Sequence, residues 1–362
     1  MRGAFPGFED PVSLASLGRL ARRPDVESRL VLVRGGSRPW QVVPGPIPPG
    51  RMARLPRSHW TLLVQGVEAH VPAVGRLLEA FAFLPRWRLD DVMVSFAARG
   101  GSVGPHADAY DVFLIQGQGR RRWRLARGGA RRLRRGVDLQ LFSRFRPEQE
   151  HVLERGDMLY LPPGVAHHGV ALEDCLTYSV GFRAPSQAEL LAAALQQLVE
   201  RAPRQCLYAD PGLPLQRDPG RISGWALGRL ARHVEGALRG LDLDAALGEL
   251  LTRPKAEPPP RSCSRARLRR QLGRGLGLDA VAGSRLAFAR SGRRTRLFAN
   301  GRSHELPPGL AFAGPLLTRS AWIPGALLAP HAGEPGFLEL LLALVRDGAL
   351  SLAPGRRRSG AP

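Results

Sequence analysis

The chain has 362 residues, 44% hydrophobic and 23% charged, which allows more than one domain and an ordinary globular interior. Its net charge is +22, but Lys255 is the only lysine; arginine therefore supplies 52 of the 53 basic residues, and this bias weakens any step from charge to nucleic acid, leaving incidental RNA contact as the alternative to a basic solvated surface. No apolar run nears 18 residues, the opening MRGAFPGFEDPVSL lacks a signal-peptide core, and Cys175, Cys206 and Cys263 show no C-x-x-C spacing, which excludes a membrane span and a disulfide framework and predicts a reducing, cytoplasmic setting.

In chain order, PVSLASLGRLARRPDVESRL carries apolar residues at helical spacing, and WTLLVQGV (60–67) reads as a strand. A helix is predicted over 71–84, ended by Pro85. DDVMVSFAA, DAYDVFLIQ, RRRWRLA, HVLERGDMLYLPP, HHGVALED and CLTYSVGF then follow at short intervals. Each is β-branched or aromatic and bounded by Gly, Pro or Asp, the pattern of an antiparallel sandwich or barrel. After Pro185 the pattern turns helical. Ser186 and Glu189 form a capping box opening LLAAALQQLV, and WALGRLARHVEGALRGL and DAALGELLTR continue it. PKAEPPPRS (254–262) reads as a linker. Beyond it come a helix near 265–276, strands around SRLAFARS and RTRLFANG, a helix FLELLLALVRDG and an RRRSG tail predicted to be disordered. The predicted division is a β domain over 1–185, a helical region over 186–253, the linker, and a smaller α+β domain over 263–362.

The chemistry concentrates in GPHADAYDVFLIQGQGRRRWRL (104–125). Two residues apart on a strand, His106 and Asp108 would share a face, giving two thirds of a facial triad; His167 or His168, after Leu161-Pro162-Pro163-Gly164, would complete it. Two His and one carboxylate on one face of an octahedron leave three open positions, as in non-haem Fe(II) oxygenases. In the arginine run, alternation puts Arg120, Arg122 and Arg124 outward and Arg121, Trp123 and Leu125 inward. A buried guanidinium needs an anion, and the far carboxylate of 2-oxoglutarate would accept its two parallel bonds. The bland alternative is a structural ion pair at Arg121. Ser95, if its face of VMVSF is the interior, would add a hydroxyl to the same carboxylate.

MVSF, GGSVGPHADAYDVFLIQGQGRRRWR, LERGDMLYLPPGVAHHGVALED and LTYSVGFRAP together resemble the bacterial JmjC-type ribosomal oxygenases of the cupin superfamily. The resemblance implies a double-stranded β-helix (jelly-roll) core, a helical dimerisation region and a winged-helix-like C-terminal domain. It implies Fe(II), 2-oxoglutarate and O2, a homodimer, and hydroxylation of an arginine side chain in large-subunit ribosomal protein L-sixteen. It matches His106 and Asp108 to the first two iron ligands, His167 rather than His168 to the third through PPG-x-x-H, and Arg121 and Ser95 to cosubstrate binding. Tyr110 and Asp111 are expected to position the substrate arginine. Histidine hydroxylation, N-demethylation and a non-catalytic metal-binding cupin module are the rival readings.

Overall fold

The computed structural model describes residues 1–34, 40–127, 132–134, 139–202, 207–256 and 258–353; Cys206, part of the linker and the RRRSG tail lie outside them. The chain divides into two compact units, Met1–Ala184 and Pro185–Pro362.

The first unit is built on β1 (Ser28–Val33), β2 (Trp40–Pro44), β3 (Trp60–Val64), β4 (Leu89–Ala97), β5 (Val112–Gln116), β6 (Arg121–Ala126), β7 (Gln149–Leu153), β8 (Met158–Leu161), β9 (Ala166–Ala171) and β10 (Cys175–Phe182). Seven form one sheet in the order β2-β1-β3-β4-β10-β5-β8; the other three form a second, β7-β6-β9. Every pairing is antiparallel. An isolated bridge between His106 and His167 adds a rudimentary fourth member beside β9.

Alternation sorts the side chains of the large sheet onto two faces. Leu62, Val92, Val94, Ile115, Tyr178 and Val180 lie on one, in a large core reached by Leu17 of helix α1 (Leu14–Leu20), which Ser13 caps. On the other, Val112 and Leu114 meet Trp123, Leu125, Leu153 and Leu161 from β6, β7 and β8, a smaller apolar cluster between the sheets. The interior also holds buried polar residues, Ser95, Gln116, Arg121, His167 and Thr177. A dry side and a polar side of one sheet define where the chemistry can be.

Two local expectations are corrected. The strand from Trp60 stops at Val64 because Gly66 takes a left-handed φ of 60° and turns the chain into a 3₁₀ turn at Val67–Ala69. After α2 (Pro49–Ala53), the segment 71–84 is no continuous helix: α3 (Pro72–Gly75) gives way to a 3₁₀ run at Arg76–Phe81. Gly75 sits at that junction, where glycine disfavours α-helix by about 1 kcal/mol relative to alanine.

In the second unit α4 (Gln187–Arg201) opens on the full capping box, the Ser186 hydroxyl accepting from Glu189 N and Glu189 accepting from Ser186 N. After it come α5 (Gly224–Leu238), α6 (Leu243–Thr252), α7 (Arg265–Gly273), β11 (Leu278–Ala280), β12 (Leu286–Ser291), β13 (Arg294–Ala299), β14 (Arg302–Leu306), α8 (Ala313–Thr318), β15 (Trp322–Ile323), α9 (Gly325–Leu328), α10 (Phe337–Arg346) and β16 (Leu350–Leu352). Two three-stranded sheets, β12-β13-β14 and β15-β11-β16, share one core with α7 and α10, while α6 packs on both α4 and β12–β14. Among the described residues no helix is long and apolar enough to cross a membrane.

Candidate metal and cosubstrate site

His106, Asp108 and His167 each offer a ligand atom, and these atoms lie within 4.8 Å of one another. His167 Nε2 stands 3.6 Å from Asp108 Oδ2, and the two imidazole centroids are 4.3 Å apart. The cause is not the strand alternation expected from the sequence, since neither His106 nor Asp108 lies in a strand. Backbone bonds do it instead. His106 N donates to His167 O at 3.0 Å, His167 N donates to His106 O at 2.8 Å, and Gly164 N donates to Asp108 O at 2.8 Å.

The imidazoles are oriented by the main chain. His106 Nδ1 is 2.9 Å from Gly104 O and His167 Nδ1 is 3.0 Å from Val165 O. A carbonyl only accepts, so both Nδ1 atoms carry the proton and both Nε2 lone pairs are left as donors to a metal. Burial, with His106 and Arg121 nearby, lowers the His167 pKa to about 3, so the ring is neutral across the physiological range. Burial raises the Asp108 carboxyl, against the pull of His106 and Arg29. Two imidazole nitrogens and one carboxyl group converging from one side fit a divalent ion with open positions.

His168 points the other way, as a strand neighbour must: its Nε2 is 3.0 Å from Ser102 Oγ and its ring stacks edge-on against Phe145. It is not part of the cluster.

Along β6, Arg121, Trp123 and Leu125 are buried while Arg122 and Arg124 reach solvent, as alternation predicts. Arg121 is 3% exposed; its Nη1 donates to Ser95 Oγ at 3.2 Å and to Thr177 Oγ1 at 3.3 Å, and its guanidinium carbon lies 4.9 Å from the Trp123 ring centroid. No carboxylate among the described residues is paired with it, and its Nε has no partner. Burial lowers its pKa, yet a guanidinium stays charged in proteins. A cation held this way calls for an anionic ligand.

Gly169 lets the Arg121 and Trp123 side chains pack close against β9. It faces Trp123 across the ladder, and a Cβ there would stand 2.7 Å from the Trp123 ring and 2.8 Å from Arg121 Nε. Gly169 lies between His167 and Ala171 on the inward face of β9, so this close packing holds Arg121 beside the metal cluster.

Sequence reasoning missed Thr177. Arg29, Leu63, Ser95, Thr177 and Gln116 form one row across five strands, and that register is invisible until β4 pairs with β10. Two rows along the same face, Asp91 stands opposite Gly181, where an added Cβ would lie 3.4 Å from Asp91 Oδ1 and 3.8 Å from the Tyr110 ring. Burial first, then Asp108, Asp91 and Asp90 against the pull of Arg29, push the Tyr110 phenol up to about 12. Asp111 is committed elsewhere, accepting from Tyr160 Oη at 2.7 Å and pairing with Arg88 at 3.2 Å.

A jelly roll with a His-x-Asp…His cluster beside a buried arginine defines the JmjC class of the cupin superfamily, and the JmjC domain family matches residues 76–190. A ROXA-like winged helix matches residues 242–351. The chain is 34% identical over 363 residues to the ribosomal protein uL16 3-hydroxylase of Escherichia coli, covering 96% of this chain and 92% of that protein. The chain belongs to the JmjC ribosomal oxygenases. The crystal structure of E. coli ycfD superposes with a TM-score of 0.82 at 32% identity, over 98% of this chain and 94% of that one. The same E. coli ribosomal oxygenase in complex with cobalt and 2-oxoglutarate superposes with a TM-score of 0.81 at 32% identity, with the same coverage.

Proposed function

We propose that this chain is an Fe(II)- and 2-oxoglutarate-dependent hydroxylase of an arginine side chain in ribosomal protein uL16 (L-sixteen). The observation that carries it is a buried guanidinium without a carboxylate partner among the described residues, packed over Gly169 beside three convergent ligand atoms. His106 Nε2, the Asp108 carboxylate and His167 Nε2 hold the iron. Arg121, with the hydroxyls of Ser95 and Thr177, holds the far carboxylate of 2-oxoglutarate. When bound, iron and 2-oxoglutarate convert O2 into an oxidant that inserts one oxygen atom into a C–H bond, releasing succinate and CO2. The chain's contribution is to orient both imidazoles, to keep the cosubstrate end dry, and to present Tyr110 to a cationic side chain. Tyr110 keeps the positioning role expected of it; Asp111 acts instead through Arg88 and Tyr160.

The division at 185, 253 and 262 is our reading of the domains, with 186–253 as the dimerisation region of a cytoplasmic homodimer. Its support is apolar exposure: Leu191, Leu195 and Val199 on α4 and Leu227, Leu230, Val234 and Leu238 on α5 all face solvent in the isolated chain.

The test is to incubate the iron-loaded protein with uL16, 2-oxoglutarate and O2 and map modifications by mass spectrometry. The expected result is the gain of one oxygen atom on an arginine. Gain on a histidine, or formaldehyde release, would assign one of the rival oxidations. 2-Oxoglutarate that leaves the melting temperature unmoved would leave a non-catalytic cupin.

A further inference from the structure

A cleft of about 670 Å³ opens beyond Leu32 and Val33, at the end of β1. Leu32 and Leu55 supply apolar wall, and both pack in the dry core, on the face of the large sheet opposite Ser95. The basic lining is Arg34, just past β1, with Arg51 of α2 and Arg54 at its C-cap. Anchors set between them aim these arginines outward: Met52 and Leu55 pack against the core, which leaves Arg51 and Arg54 exposed. Trp60 Nε1 donates to Pro56 O at 2.7 Å and fixes the segment that returns to β3. Ser58 and His59 complete the lining, with Ser58 Oγ 2.8 Å from His59 Nδ1. His59 has a φ of 66°, an uncommon conformation for a residue with a side chain. Two main-chain bonds of 2.8 Å hold it there, His59 N donating to Arg99 O and Val33 N donating to His59 O. Strain of this kind collects at ligand clamps and switch regions.

We propose that this cleft binds a nucleoside polyphosphate: linked phosphate groups carried on a flat, largely apolar body. Charge is the first argument. No Asp or Glu lines the cleft, and among the described residues no ion pair engages Arg34, Arg51 or Arg54. Other arginines of this unit that reach solvent do find acids: Arg2 pairs with Asp157, Arg23 with Asp25, Arg120 with Glu173 and Arg124 with Glu150. An arginine-rich composition therefore does not by itself account for three uncompensated cations around one cleft. Chemistry is the second. A guanidinium fork binds phosphate oxygens through two parallel N–H bonds, and three forks with the Ser58 hydroxyl offer more donors than a single phosphate group can use. Size is the third. Small-molecule sites enclose about 300–1,000 Å³, and here the apolar wall of Leu32, Val33 and Leu55 leaves a place for the body of the ligand beside the charged one. A strand of RNA carries the same phosphate chemistry, and the arms of the test separate the two sources.

The test titrates ADP, GDP and adenosine into the full chain by calorimetry, first without ligands and then loaded with cobalt and 2-oxoglutarate. A nucleoside diphosphate is expected to bind once per chain, at least about tenfold more tightly than adenosine, and equally in both states of loading. Arg51→Ala combined with Arg54→Ala should raise its Kd by about tenfold or more while the melting temperature stays at the wild-type value. Arg22→Ala combined with Arg57→Ala removes the same charge from exposed positions outside the lining and should leave the Kd unchanged. Equal losses in the two double variants would mean general attraction to a basic surface and would overturn the proposal. So would a wild-type chain that gives no heat with either diphosphate. Binding that 2-oxoglutarate displaces would put the nucleotide at Arg121 and sink the cleft. A short oligoadenylate that needs Arg51 and Arg54 when neither diphosphate binds would make the cleft a contact for an RNA strand and refute the free nucleotide.

Discussion

Replacing Arg121 by methionine removes a charge that is 3% exposed and keeps most of the side-chain volume against Trp123. In the ligand-free protein the two effects oppose each other: two hydroxyl contacts and the ring contact are lost, and a desolvated cation with no carboxylate partner is relieved. The ligand-free melting temperature should therefore change little. With cosubstrate the balance is one-sided. Breaking a buried pair by removing one partner costs about 3–5 kcal/mol, so the Kd for 2-oxoglutarate should rise by about two to three and a half orders of magnitude. In a thermal-shift assay on the cobalt-loaded chain, cosubstrate at a hundredfold over its wild-type Kd adds about 2.7 kcal/mol, or roughly 5–10 °C for a unit of this size. Arg121→Met should show almost none of that shift. Arg121→Lys should recover only part, because a point charge cannot supply two parallel bonds. Arg120→Ala, whose side chain pairs with Glu173 in solvent, should keep the whole shift. A full shift in Arg121→Met would place the anion elsewhere. A collapse of ligand-free stability by more than about 10 °C would make Arg121 a structural residue first.

Three further outcomes are expected. His106→Ala, Asp108→Ala and His167→Ala each abolish iron-dependent turnover, whereas His168→Ala, which loses contacts to Ser102 and Phe145 but no metal ligand, keeps much of it; the opposite result for the two neighbours in a succinate-release assay would reassign the third ligand. Gly169→Ala folds but raises the 2-oxoglutarate Kd, since its Cβ pushes on Arg121 and Trp123; calorimetric titration giving a wild-type Kd would show that the placement of Arg121 does not set cosubstrate affinity. Leu195→Glu with Val234→Glu, both at exposed apolar positions, converts a dimer to monomer in light scattering, and a wild-type chain that is already monomeric at micromolar concentration would refute the interface.

The strands around the site were readable because their composition and period agree: DDVMVSFAA, RRRWRLA and CLTYSVGF each became a strand, and the inward place of Arg121 followed from alternation alone. What could not be read depends on register and on irregular backbone. Thr177 belongs to the site only because it stands opposite Ser95, a non-local pairing that composition does not encode. His106 and Asp108 converge through bonds to residues 164–167, so the right residues were found through a geometry the chain does not use. Gly169 left a visible mark, a glycine inside a strand pattern, that was not followed. In the second unit β11, β15 and β16 have two or three residues each, too few to show a period.

The reciprocal bonds between His106 and His167 also bear on the order of events in assembly. A metal centre whose ligands come from flexible loops forms when the ion arrives, and folding and loading are then one equilibrium. Here the spacing of two ligands is fixed by main-chain pairing, and the third is tied to the turn that leads into the same strand. The polypeptide can reach its final shape first and acquire its ion afterwards. Stripping with a chelator should leave a folded apoprotein that regains activity on simple addition of iron, without denaturation and refolding. A rigid socket of this kind has a cost in fidelity: later first-row ions bind nitrogen and oxygen donors more tightly than Fe(II), so the ion it carries in a cell is decided by supply rather than by shape.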